Sequence, residues 1–189
     1  MDDKLRDEIL WLDLINSDWH DQLGWGRDED RLLREEWLRR FLAPWGEPLS
    51  SGPLAEIRKK LADLRRLIRR MADDFAKNGA VRPADLSALN TVLGGAPLVR
   101  RVAASGPAYI IRDEKVESGL RALLADIAAS FAEILARGEP RRIKACLNPD
   151  CRWIFYDNSK NRSRRWCENA TGCGNMMKVR KHRSMKKKE

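Results

Sequence analysis

Residues 146–175 read CLNPDCRWIFYDNSKNRSRRWCENATGCGN, and they contain every cysteine in the chain. Four residues separate Cys146 from Cys151, fifteen separate Cys151 from Cys167, and five separate Cys167 from Cys173. Two close pairs joined by a loop of this length are how a small module surrounds zinc with four soft ligands. Ile143–Cys146 and Trp153–Tyr156 read as short strands about the turn Leu147-Asn-Pro-Asp150, whose backbone N–H groups can point at the sulfurs. Trp153, Phe155 and Trp166 are the expected lid of a mini-core too small to stand without metal. Cys173-Gly-Asn175 opens a last helix, where the dipole favours a thiolate. The expected module is treble-clef-like: knuckle, hairpin, helix. With Cys146, Cys151, Cys167 and Cys173 all ligating, no position stays open for water, so the zinc is expected to be structural. His182 is the one rival ligand.

Working outward, charge is the next signal. From Arg141 on there are 15 Lys and Arg against 4 Asp and Glu, whereas the first 140 residues hold 22 against 24. A nearly neutral body with a basic end points to a polyanionic partner. A tetrathiolate zinc site leaves two negative charges, which account for two of these cations and no more. Lys160, Arg162, Arg164 and Arg165 lie between the ligand pairs, and Lys178, Arg180, Lys181 and Arg183 lie on the last helix. These eight are the candidate nucleic-acid contacts, with double-stranded DNA the expected partner. A plain solvated tail is the competing reading.

The body, residues 1–140, reads as mainly α with a small β element. A first helix is expected over Lys4–Asn16. Asp28 can cap a second, with Leu33, Trp37, Leu38, Phe41 and Leu42 on one face. Residues 44–53 carry every loop signal. Leu54–Lys77 is the clearest amphipathic helix, and Pro83–Leu93 is a shorter one ended by Gly94-Gly95. Leu98–Ala103 and Ala108–Arg112 read as strands, and Glu114–Arg137 as a long helix carrying Val116, Leu120, Leu123, Leu124, Ile127, Phe131, Ile134 and Leu135. Gly138-Glu-Pro140 is the expected boundary before the module at 141–189. Helix stripes of this kind are core faces first; a homodimer seam is the alternative.

Five of seven tryptophans lie in the first 45 residues. Trp19 with His20, together with Asn16 and Arg112, are candidate lining for a small-molecule effector pocket, against the plainer reading of aromatics that seal helix ends. The sequence lacks GxGxxG, the Walker lysine loop, HExxH and GxSxG, so the chain is expected not to be an enzyme. No uncharged stretch is long enough for a bilayer, and Met1-Asp-Asp-Lys is no secretory signal, which leads to the expectation of a cytoplasmic protein without membrane contact.

The run from Cys146 to Cys167, then Cys173-Gly-Asn and Lys178-Val-Arg-Lys-His-Arg183, resembles the CGNR zinc finger. In bacterial proteins of that kind the finger follows an ABATE domain, whose opening Leu12-Asp-Leu-Ile-Asn-Ser17 resembles. The family is described as stress-induced transcription regulators. The resemblance implies that the finger grips DNA while the body senses a ligand or dimerises. A protein–protein or RNA-docking finger on a ligand-binding scaffold is the alternative. Two departures stand out: Gly172 lengthens the last Cys–Cys spacing by one residue, and Met176 replaces the arginine that gives the finger its name.

Overall fold

The computed structural model describes residues 10–45, 53–136, 138–167 and 172–186. The start of the first predicted helix, most of the loop at 44–53, and residues 168–171 lie outside them. The elements run α1 (Leu10–Ile15), β1 (Asp18–Trp19), β2 (Glu29–Asp30), a 3-10 turn (Arg31–Leu33), α2 (Glu35–Leu42), a 3-10 turn (Ala43–Trp45), α3 (Leu54–Asn78) and α4 (Pro83–Leu93). They continue with β3 (Leu98–Ser105), β4 (Ala108–Lys115), α5 (Gly119–Ala136), a 3-10 turn (Pro140–Arg142), β5 (Ile143–Ala145), β6 (Ile154–Tyr156) and α6 (Cys173–Lys186). The fold is mainly helical, with three separate two-stranded antiparallel sheets among the described residues and a C-terminal cysteine cluster. Among the described residues no helix is long and apolar enough to cross a membrane.

The centre is α3. Its Ile57, Leu61, Leu64, Ile68 and Met71 face inward and meet α1 through Trp11, Leu14 and Ile15, and α5 through Leu123, Ile127 and Phe131. Trp11 and Phe131 rings lie 5.1 Å apart and tilted by 57°, the offset geometry aromatic pairs favour. Gly79 closes α3 in the left-handed conformation, the usual glycine helix stop.

Three boundaries differ from expectation. Asp28 caps no helix: its carboxylate accepts from the Asp21 N–H and pairs with His20. The cap is Asp30, which accepts from the Leu32 N–H at the 3-10 turn, so Leu33 points outward, 70% exposed. The β3–β4 hairpin also runs longer than read, to Lys115, and turns on Gly106-Pro107 alone. It thereby claims Glu114 and leaves Val116 exposed before α5 begins at Gly119. Cross-strand hydrogen bonds and the ion pairs Arg100–Asp113 and Arg101–Glu114 outweigh the helical stripe there.

The cysteine module is not strung on a linker. Ile143 and Ile154 belong to the same buried core as α1, α3 and α5. Alternation along β6 explains how: Ile154 points into the body's core, and Phe155, its neighbour, into the cysteine cluster.

Candidate metal centre and nucleic-acid face

Four elements deliver the four sulfurs. β5 leads into Cys146, the knuckle turn 147–150 carries the chain to Cys151, Cys167 follows Trp166 at the end of a loop, and Cys173 is the first residue of α6. All four are buried and none is in a disulfide. Their Sγ atoms all lie within 4.8 Å of one another, with Cys151–Cys167 and Cys167–Cys173 at 3.6 Å. A tetrahedron with Zn–S bonds of about 2.3 Å puts its sulfurs about 3.8 Å apart, so the cluster has zinc's dimensions and not those of a disulfide.

The surroundings suit thiolates. Backbone N–H groups of Asn148 and Cys167 bond the Cys146 sulfur, and that of Trp153 bonds Cys151. Asn148 Nδ2 donates to Cys173 Sγ at 3.6 Å. The crowding sets the thiols against each other. Donation from Cys151 and Cys167 pulls Cys146 well below the ordinary thiol range, while the same pairings push Cys151 far above it. A central divalent cation resolves that conflict, because it replaces shared protons for all four sulfurs at once. Trp153, Phe155 and Trp166 pack around the cluster. Gly174 is required by Trp166: a Cβ there would lie 2.9 Å from the indole Cδ1. Gly172, with φ of +66°, absorbs the extra spacing immediately before α6 in a left-handed conformation that glycine adopts at no steric cost.

The loop between the ligand pairs is organised by Asp157, whose side chain has no exposure. Its carboxylate accepts from Lys144 Nζ at 2.6 Å, Ser159 Oγ at 2.6 Å, and the Ser159 and Arg164 N–H groups at 3.0 Å. Burial by itself would raise this carboxyl, but these donors outweigh it and hold it below the usual carboxylate range. Arg142 adds donations to the Asp157 and Ser159 carbonyls, both 2.8 Å.

A chain with these two parts matches two family models. The CGNR zinc finger covers residues 142–186, and the ABATE model, described as "Putative stress-induced transcription regulator", covers 8–138. The chain belongs to the ABATE family. Its C-terminal part is a CGNR zinc finger, and the four clustered cysteines are the residues that could hold the zinc. No curated protein matches the chain.

Within this ABATE protein the eight predicted cations separate into two groups. Lys160, Arg165, Lys178, Lys181 and Arg183 are exposed and have no carboxylate partner among the described residues. The other three are engaged. Arg180 Nη1 binds Asp150 Oδ2 at 2.6 Å while Nη2 donates to the Leu23 carbonyl at 3.1 Å, which clamps α6 to the knuckle and the body. Arg164 lies over the Phe155 ring, 4.9 Å from its centroid. Arg162 pairs with Glu139. Met176, in place of the family arginine, is half-buried, and its N–H donates to the Gly172 carbonyl at 3.1 Å.

The four predicted pocket residues do not converge. Asn16 is buried and bonded to both backbone groups of Ile154. Trp19 is half-buried with Arg31 over its ring at 5.9 Å, and His20 sits between Asp18 and Asp28. Arg112 stands exposed on β4 opposite Arg101. A cavity of about 360 Å³ instead opens between α3, α4 and α5, with Leu64, Leu67, Val92 and Leu124 in its wall and exposed Lys60, Asp63 and Arg121 beside them.

The residues that join finger to body carry little signal in the sequence. Arg69 Nη2 donates to the Arg152 carbonyl at 2.7 Å, and Asn148 Nδ2 to the Gln22 carbonyl at 3.0 Å. Arg152 has φ of +50°, a left-handed residue at the end of the knuckle. Asn148, in an Asn-Pro turn, carried a legible signal as a turn residue; Arg69, one of many arginines on α3, carried none.

Proposed function

We propose that this protein is a DNA-binding regulator in which the zinc finger holds duplex DNA, a binding protein and not an enzyme. The observation that carries the reading is the set of five exposed cations, Lys160, Arg165, Lys178, Lys181 and Arg183, on a finger in which Arg180, Arg164 and Arg162 are engaged within the chain. Cations with no partner of their own are available to phosphate, and each contact releases counterions. A structural metal and the Asp157 network hold the loop and the helix that carry them, so little order has to be gained on binding.

The body's part is proposed as control. Its cavity beside α3 has apolar walls flanked by Lys60, Arg121 and Asp63, the last paired with Arg66, which suits a small amphipathic molecule. The finger shares a core with α3, so an event there has a packed route to the DNA face.

The test is a salt-titrated binding measurement with random duplex DNA. About five phosphate contacts give a slope of log affinity on log salt near −4 to −5. Reversing the charge of Lys160, Arg165, Lys178 and Lys181 should abolish binding and leave zinc content unchanged. Arg164 and Arg180 are left out of that variant because their loss would disturb the finger itself. Absence of wild-type binding at low salt would reject the reading.

A further inference from the structure

The body sends one loop against the finger, residues 21–28, and holds it rigidly. Asp21, 4% exposed, accepts from the Leu23 N–H at 2.9 Å and the Trp25 N–H at 3.2 Å, and its own N–H donates to Asp28 at 2.9 Å. Gly24 and Gly26, both with φ near +75°, make the bends on either side of Trp25. β1 and β2 close the base of the loop, and Arg65 grips Asp30 there through two hydrogen bonds of 2.6 Å.

This brace displays an aromatic ring in water. Trp25 is 64% exposed, and Arg27 stacks over it at 5.0 Å from the centroid. The loop abuts the finger: the Leu23 carbonyl takes Arg180, the Gln22 carbonyl takes Asn148, and a Cβ at Gly24 would touch Asp150. On α6, Arg183 lies three residues beyond Arg180, on the same side of the helix, and is exposed. Of the carboxylates near the loop, Asp150 is ion-paired with Arg180, and Asp28 accepts from the Asp21 N–H and hydrogen-bonds His20. The loop therefore presents an indole and a cation beside the finger.

We propose that Trp25 and Arg27 form a second DNA contact supplied by the body, with the indole packing into the minor groove and Arg27 meeting phosphate. The inference rests on the reading of the finger as a duplex-binding element. Apolar side chains such as Phe, Leu and Met serve elsewhere as minor-groove wedges against base steps, next to cations that hold the backbone, and an indole offers a similar apolar face. The contact makes DNA affinity depend on how the body sits against the finger, because the loop that carries Trp25 is bonded to both.

The experiment compares full-length, zinc-loaded wild type with Trp25→Ala, Trp25→Phe and Arg27→Ala, using a labelled duplex across a salt series. Trp25→Ala should weaken binding about tenfold at every salt concentration with the slope unchanged, since an indole displaces no counterions. Trp25→Phe should recover part of the loss. Arg27→Ala should make the slope shallower by about one. Duplex should quench tryptophan emission in wild type more than in Trp25→Phe. Wild-type affinity and quenching in the Trp25 variants would overturn this contact while the charge-reversed finger variant still tests the finger alone. Absence of wild-type binding to any duplex would overturn both. Preferential binding of a single strand, lost in Trp25→Ala, would place the ring in a base stack and overturn the duplex assignment.

Discussion

Asn16 on the first turn after α1 and Ile154 on β6, 138 residues apart, exchange both of their polar groups: Asn16 Nδ2 donates to the Ile154 carbonyl at 2.9 Å, and the Ile154 N–H donates to Asn16 Oδ1 at 3.0 Å. The side chain stands in for the strand that β6 lacks on that edge, and it does so where no water reaches. Asn16 is thus a bracket between body and finger, and the reading of it as a pocket residue is corrected.

Asn16→Ala should therefore cost about 2–3 kcal/mol in urea unfolding of the intact chain, since two buried backbone groups lose their partners. Asn16→Asp should cost more, because an acceptor-only side chain cannot donate to the Ile154 carbonyl. A loss under about 0.5 kcal/mol for both would show that the bracket is idle.

Elemental analysis of the purified chain should find about one zinc per molecule. Cys173→Ser should lower that content and, with it, the melting temperature of the whole chain. The shared core of Ile143 and Ile154 is the reason the body should feel the loss. A body that melts unchanged after chelation would contradict the shared core.

Asp157→Asn should destabilise the zinc-loaded protein by about 3 kcal/mol at neutral pH, since Lys144 loses a buried partner at 2.6 Å. The folded carboxyl titrates below its unfolded value of about 3.9. Its stabilisation is accordingly complete above that value and is lost as the pH falls through the folded one. Denaturation midpoints of wild type and Asp157→Asn should separate at neutral pH and converge in acid below about pH 4. A constant gap down to pH 3 would mean that Asp157 acts through shape and not charge.

Gly174→Ala sets two effects against each other. Alanine in a helix gains up to about 1 kcal/mol over glycine, but here its Cβ meets Trp166 at 2.9 Å. Trp166 packs against the metal cluster, so displacing it should cost about 1–3 kcal/mol and win. Thermal melts and zinc affinity should both fall; a stabilised variant would show that Trp166 moves freely.

What the sequence determined by itself was everything that local spacing encodes. The convergence of the four cysteines followed from Cys-x4-Cys and Cys-x5-Cys, and the bulk of α3 and α4 from apolar periodicity and their glycine and proline ends, because a metal's coordination number and a helix's 3.6-residue turn are short-range constraints. Tertiary structure alone decided which of the finger's cations are available. Arg180, Arg164 and Arg162 look the same as Lys178 or Arg183 in a list of charges, yet their partners, Asp150 with Leu23, Phe155 and Glu139, come from elsewhere in the chain. It also decided that finger and body share one core, through pairings such as Asn16–Ile154 and Arg69–Arg152 that no periodicity announces. A charge is free or spent according to what the fold sets beside it, and that neighbour is chosen by packing across the whole chain.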